Sequence, residues 1–344
     1  LKTLKITLCF LLVSAFATHV RAQDKNLLTA KLFADLPDSC PTPDALDIAP
    51  DGSLTLSCPN YADRKKPGIL MRITEDGQVE KLVEVPVLAA SGMSRPMGIA
   101  YDDDGGLYVC DNQTNKGRLL KLTFKENKLN STEVVAQGFN SINGIRYHKG
   151  YVYVTQTALP KLKKDKVVGG VYRFNISDRN IQVNNDKSDA NLIYTSETQN
   201  KDRQVGLDGL VFNKQGDLFV GNLGDATIYK LVLNDEGQVQ KESVYAKLPL
   251  NSAPDGINID AKGNLYVAGF AQNQIFKIDT NKQVELLAQY PDNDGTDGGL
   301  DQPADLIVYN GKLIISNFDL MVAKGMLNSK HGKPYTLSSI DLKE

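Results

Sequence analysis

Apolar and polar residues alternate along this chain in short runs, and the runs come in pairs. The clearest pair lies at 252–270, SAPDGINIDAKGNLYVAGF. It holds an acidic residue and a glycine (Asp255, Gly256), an alternating run (Ile257, Ile259), a polar turn at 260–264 and a second run (Leu265, Val267). Alternation with period two on both sides of a glycine-bearing turn predicts a loop, a strand, a hairpin turn and a returning strand. The same pattern recurs five times: PDALDIAPDGSLTLSC from Pro43, RPMGIAYDDDGGLYVCD from Arg95, INGIRYHKGYVYVTQ from Ile142, LDGLVFNKQGDLFVGN from Leu207 and PADLIVYNGKLIISN from Pro303.

The repeats start at Asp44, Met97, Asn143, Asp208, Asp255 and Asp305, with successive differences of 53, 46, 65, 47 and 50. Self-similarity at this period marks a propeller or solenoid, not a pair of unrelated domains. Each of the first five repeats continues with a third strand, at 70–73, 118–122, 170–174, 227–231 and 274–278. A fourth follows at 79–85, 133–137, 192–195, 243–248 and 284–289. Four antiparallel strands per repeat make one propeller blade. The sixth repeat supplies only three, the last at 335–342, and TAKLFAD at 29–35 resembles the missing fourth. The N-terminal strand is therefore expected to complete the last blade and close the ring, which leaves no open sheet edge between first and last blades. No window carries a sustained helical period with caps. The expectation is one all-β domain over 23–344, a six-bladed β-propeller.

Strand direction then fixes geography. Inner strands begin just after the Asp/Asn positions and run to the far face, so six blades bring Asp44, Met97, Asn143, Asp208, Asp255 and Asp305 around one channel mouth. Four carboxylates and an amide in a narrow tunnel repel one another unless something positive joins them. A hard cation with oxygen ligands satisfies them, and Ca²⁺ suits a flexible Asp/Asn shell, although another divalent cation is possible. No His or Cys recurs at this position, which argues against zinc. The alternative is that Asx-Gly is ordinary turn chemistry here.

The repeats PDGINIDAKGNLYVAGF and INGIRYHKGYVYVTQ resemble those of the gluconolactonase/senescence-marker-protein family, relatives of the paraoxonases and of diisopropylfluorophosphatase. The resemblance implies a six-bladed propeller with calcium in the channel, held by a first-blade Glu, middle-blade Asn side chains and a fifth-blade Asp. By position these fall on Asp44, Asn143, Asp208 and Asp255. Asp255 sits in the Pro-Asp-Gly setting the family uses, and Asn143 keeps its type. Asp44 is shorter than the family Glu and precedes Ala45 instead of Gly, and Asp208 replaces an Asn. The implied activity is a calcium-dependent hydrolase acting on a small-molecule lactone, ester or phosphoester, with lactonase favoured and Asp255 as base or nucleophile beside the metal. Asp305 shares the ring, to shape the substrate pocket or to cap a turn. The long loop at 318–334 contains His331, a candidate acid/base on the same face. Asp111, Gln156, Asn222 and Asn317 end second strands and are expected to reach substrate. Two rivals remain: a non-hydrolytic enzyme resembling strictosidine synthase, and a propeller that binds a sugar or peptide without catalysis.

Composition changes the picture in three ways. The 344 residues are 41% hydrophobic with formal net charge −2, enough for a full core and without the basic field that nucleic acid requires. At the N-terminus, Lys2 and Lys5 precede an apolar run from Ile6 to Ala17 and small residues flanking Arg21. These read as a secretory signal over 1–22, too short to span a bilayer. The mature chain is then expected to be exported, periplasmic or extracellular, without a membrane span and monomeric. Three cysteines remain, and Cys40 and Cys58 flank the first repeat, either to pair or to stay as half-buried thiols. An acidic loop at 292–299, DNDGTDGG, lacks the spacing and closing Glu of an EF-hand.

Overall fold

The computed structural model describes residues 27–342; the signal-peptide reading falls on residues outside these. Six sheets of antiparallel strands follow one another in chain order. Blade 1 runs Leu46–Ile48, Leu54–Cys58, Ile69–Ile73 and Val79–Glu84 from the channel outward. Blade 5 has the same plan at Pro254–Ile259, Leu265–Gly269, Gln274–Ile278 and Val284–Gln289. Blade 6 holds Pro303–Tyr309, Lys312–Asn317 and Tyr335–Asp341, and its outer strand is Lys31–Leu36. The expected ring closure is thus formed by backbone pairing such as Lys31 opposite Ser339. Among the described residues the only helical pieces are two short 3₁₀ turns, at Phe270–Gln272 and Thr296–Gly298. No described helix is long and apolar enough to cross a membrane.

The alternating pattern explains the core. Each blade is apolar on both faces, so blades bury against their neighbours and not against a shared centre. The buried apolar side chains fall into one cluster per blade junction, with a seventh formed by loop residues such as Phe270 and Phe318. Leu70, Ile99 and Leu120 join blades 1 and 2; Ile307, Ile314, Leu46 and Leu56 join blade 6 back to blade 1. The second cluster both closes the ring and encloses the Cys40–Cys58 disulfide; Cys110 is a buried free thiol.

Blade 2 departs from the four-strand plan. A short strand, Ile181–Gln182, leaves blade 3 and pairs in parallel with the outer strand Lys128–Phe139, making a fifth. This excursion accounts for the spacing of 65 between the third and fourth repeats.

The Asx-Gly step has a different physical cause from turn formation. Four inner strands show a register irregularity at it, between Ile142 and Ile145, Leu207 and Leu210, Pro254 and Ile257, and, at the equivalent Met-Gly, between Pro96 and Ile99. Such a bulge turns the Asx side chain toward the axis. The glycine that follows lies against the next blade's backbone. A Cβ on Gly209 would stand 2.1 Å from the Asp255 carbonyl, and one on Gly256 would stand 2.6 Å from Asp305 Cα. Glycine is required there by close approach around a narrow axis.

Candidate active site at the channel mouth

The carboxylates selected from the repeat pattern do converge. Asp44, Asn143, Asp208, Asp255 and Asp305 line one cavity of about 30 Å³ together with Arg146 and four glycines. That is room for an ion or a water or two. Met97, the sixth ring position, packs into the core between blades 2 and 3 instead.

Each side chain is held by its neighbours. Asn143 Nδ2 donates to both oxygens of Asp208, at 2.8 and 2.9 Å. Asp208 and Asp255 touch carboxyl to carboxyl. The backbone around Asp44 is pinned by Ser57 Oγ, which accepts from Ala45 N at 2.9 Å, and by Ser316 Oγ, which donates to the Asp44 carbonyl. Asp305 Oδ2 accepts from Leu46 N at 3.0 Å, so it also joins the last blade to the first. Its Oδ1 is buried without a hydrogen-bond partner, 3.8 Å from Arg146 Nη2. Arg146 is anchored by donating to the carbonyls of Ile145 and Ile257.

Burial sets the electrostatics. Asp44, Asp208 and Asp305 are 8%, 5% and 5% exposed, whereas Asp255 and Asn143 are only half-buried. Desolvation pushes the Asp255 carboxyl well above the usual carboxylate range, and the charges of Asp208, Asp44 and Asp305 push the same way. Asp44 is raised well above its usual range by burial, then by Asp305 and Asp208. Asp208 is pushed up to about 7 by burial, against the hydrogen bonds from Asp255 and Asn143. Asp305 is raised less, because Arg146 and the Leu46 amide oppose its desolvation. Lower in the channel, burial lifts Asp47 to about 6.

An apolar cluster adjoins these groups. Tyr61 and Phe318 have ring centroids 6.5 Å apart, and Phe318 and Phe270 5.9 Å. They cluster with Leu223, Ala253 and Ala304, the last of which also lines the cavity. Leu223, Phe270 and Phe318 each follow the last residue of a second strand. The Arg95 guanidinium stands over the Tyr61 ring at 5.9 Å.

The donor set fits a divalent cation of the calcium type: carboxylates and an amide, one carboxylate oxygen unpartnered, and charges that burial alone leaves uncompensated. As they stand, Asp208 and Asp255 are spaced to share a proton. Among the described residues no three His, Cys, Asp or Glu side chains surround a single point closely enough to ligate it. A bound ion therefore requires this pair to part.

The other candidates lie elsewhere. Asp111 is fully buried in blade 2, where it accepts from Arg95 N at 2.6 Å, Gln113 Nε2 at 2.9 Å and Arg118 Nε at 2.8 Å. Gln156 Oε1 accepts from the amides of Asn140 and Ser141. Asn222 Oδ1 accepts from Asp225 N, and Asn317 Oδ1 from Asp301 N while its Nδ2 donates to Ser338 Oγ. Asp111, Gln156 and Asn317 hold the loop that enters their own blade, Asn222 holds the turn that leaves its strand, and none lines the cavity. His331 is bound to the Asp319 carbonyl and stacks on Tyr335 at 5.5 Å, apart from the channel residues. Arg146 and the aromatic cap were not among the sequence candidates. Arg146 stands in a run that reads equally as a half-buried strand, and the cap residues come from three blades and a loop.

The comparisons agree with this architecture. Residues 90–293, more than half of the chain, match the family described as SMP-30/Gluconolactonase/LRE-like region, and the chain belongs to that family. No curated protein sequence matches it significantly. Its fold is similar to a luciferin-regenerating enzyme (TM-score 0.61, 12% identity, 91% of this chain and 95% of that one). It is similar to a gluconolactonase from Xanthomonas campestris (TM-score 0.57, 15% identity, 93% and 96%). It is also similar to the calcium-binding protein regucalcin from Agrobacterium tumefaciens (TM-score 0.59, 12% identity, 92% and 96%).

Proposed function

We propose that this protein is an exported, calcium-dependent hydrolase that opens a lactone or cleaves a related ester, acting as a monomer on a small molecule. The observation that carries this is the convergence of Asp44, Asp208, Asp255 and Asp305 on one small cavity, in a chain of the gluconolactonase family. A regucalcin described as calcium-binding and a gluconolactonase among the similar folds support the choice of ion and substrate class. The Cys40–Cys58 disulfide supports an oxidising compartment, which mass measurement of an exported chain beginning at Gln23 tests.

Asp44, Asn143, Asp208 and Asp255 would hold the ion. When bound, it supplies Lewis acidity to a carbonyl or phosphoryl oxygen. Asp255 is the most accessible of the carboxylates, and burial raises its proton affinity, which favours it as a general base. It takes the proton of the attacking water at its carboxylate and returns it to the departing alkoxide oxygen. Asn143 orients Asp208, Arg146 keeps the Asp305 charge balanced, and the Tyr61–Phe318–Phe270 cap excludes bulk water, so the field at the carbonyl is not screened.

The test is a screen of lactones, aryl esters and phosphotriesters with Ca²⁺ and with EGTA. Asp255→Asn is expected to reduce kcat by about 10²-fold or more, the scale of general-base removal, while leaving the fold intact. A propeller that only binds a sugar or peptide would tolerate that change. Turnover unaffected by both EGTA and the substitution would refute the proposal.

A further inference from the structure

A second acidic cluster lies outside the channel, where the connection from blade 5 to blade 6 meets the long loop of blade 6. Asp301 is 1% exposed. Its backbone is fixed by Asn317, yet its carboxyl Oδ1 is buried without a hydrogen-bond partner. That carboxyl faces Asp319, itself buried, and the two acids stand within reach of a shared proton. Asp319 is braced on its far side: Oδ1 accepts from Asn328 Nδ2 at 3.0 Å and Oδ2 from Gly332 N at 2.9 Å. Asp292 and Asp294 stand exposed at the rim. Asp292 Oδ1 accepts from Ser329 N at 3.3 Å, and Asp294 Oδ1 from Thr296 N at 3.1 Å. The positive neighbours are Lys330 beside Asp294 and His331, whose Nδ1 is engaged by the Asp319 carbonyl and stands 3.5 Å from Oδ2.

We propose that Asp301 and Asp319 form the buried half of a second divalent-cation site, of the calcium type, which Asp292 or Asp294 completes from the rim. Two carboxyl groups in contact inside a protein need a proton or a cation between them. The cation is favoured because two further carboxylates wait at the opening, giving an all-oxygen donor set. An unpartnered buried oxygen marks where the ion sits. Among the described residues no three such side chains yet surround one point, so the rim carboxylate swings inward on binding. Asp319 directly follows Phe318, so occupancy ties the loop over the channel mouth to the ring. The inference does not depend on the channel ion or on hydrolysis.

Lys324 and Lys330 are exposed on the same loop and report its order through trypsin cleavage. Ca²⁺ alone is titrated into the full chain, and cleavage at these two lysines is timed in the wild type, Asp301→Asn, Asp319→Asn and Asp255→Asn. If the closed loop resists trypsin, Ca²⁺ slows cleavage by 1 + [Ca²⁺]/Kd, about tenfold at nine times Kd. The wild type and Asp255→Asn are expected to gain this protection, and Asp301→Asn and Asp319→Asn to lose it. Calorimetry is expected to count one fewer ion in Asp301→Asn. In EGTA, Asp301→Asn is expected to melt no lower than the wild type, because the amide donates where two acids repelled. Protection that survives in Asp301→Asn, or is absent from the wild type, overturns the proposal. Protection lost only in Asp255→Asn assigns it to the channel and overturns this second site while leaving the channel ion standing. An Asp301→Asn protein that melts well below the wild type in EGTA also overturns it, since the carboxyl contact is then favourable without a cation.

Discussion

Replacing Asp255 by Asn should stabilise the cation-free protein at alkaline pH while removing the proposed catalytic base. Burial holds Asp208 about three units above its ordinary value of 3.8. At 1.36 kcal/mol per unit, ionising it in the native state without a cation costs about 4 kcal/mol. Asp208 and Asp255 touch, so that cost belongs to the pair and not to either acid alone. Asparagine at 255 removes one charge and donates N–H to Asp208, which lets Asp208 ionise nearer its ordinary range. Relaxation and water entry reduce the benefit to about 3 kcal/mol, roughly 5 °C in Tm for a chain of this size.

The sign follows from proton uptake. A carboxyl whose folded pKa is raised binds more protons in the native state than in the unfolded one. Wild-type stability without cation therefore falls as pH rises from about 4 to about 7. Asp47, raised to about 6, and Asp301, raised to about 8, slope the same way in both proteins and cancel in the difference. Carboxyls held below their ordinary range, such as Asp51 and Asp341, titrate beneath this window. Urea unfolding in EGTA near pH 5 and near pH 8 is the assay. The two proteins should be close at the lower pH and separate at the higher one, with the variant more stable. Ca²⁺ at about 100 times Kd should return about 2.7 kcal/mol to the wild type and much less to the variant. A variant that is equal or less stable than the wild type near pH 8 in EGTA would refute the electrostatic account of the channel.

Three further substitutions separate packing from chemistry. Gly209→Ala places a Cβ 2.1 Å from the Asp255 carbonyl and should cost about 3 kcal/mol or more, whereas Gly332→Ala, with open space around it, should stay within about 0.5 kcal/mol by urea unfolding. Asp111→Ala leaves Arg118 buried without its carboxylate at 2.5 Å, and should lower stability by about 3–5 kcal/mol. A shift in KM with an unchanged unfolding midpoint would return Asp111 to the substrate.

What the sequence made legible was whatever repeats. Gln274–Ile278 and Val284–Gln289 are found at the residues that the repeat predicts, because every blade is built on the same four-strand plan. The converging carboxylates were legible for a related reason: a bulge recurs at Asp208, Asp255 and Asp305, with a glycine after the first two, imposed by the crowding of six inner strands around one axis. Features present once left no such trace. Arg146, the counter-charge that the ring demands, occupies its position in a single blade. The strand at Ile181–Gln182 belongs to an insertion with no counterpart, visible only as an overlong interval. The polar residues ending second strands lie away from the cavity for a different reason. Leu107–Asp111 is buried at every position, so parity carries no information about which side chain faces the channel. Asp111 is instead committed to Arg118 and to the amide that opens its own blade. In a propeller a polar group at a blade's end meets two demands, to seal the blade and to face the mouth. The residue that seals it is the one with donors already in its own sheet. Asp305 does both: Oδ2 takes the Leu46 amide across the ring closure, and Oδ1 stays unpartnered in the cavity. The side chain that ties the last blade to the first therefore also places a carboxylate oxygen in the channel, where Arg146 stands 3.8 Å away as its counter-charge.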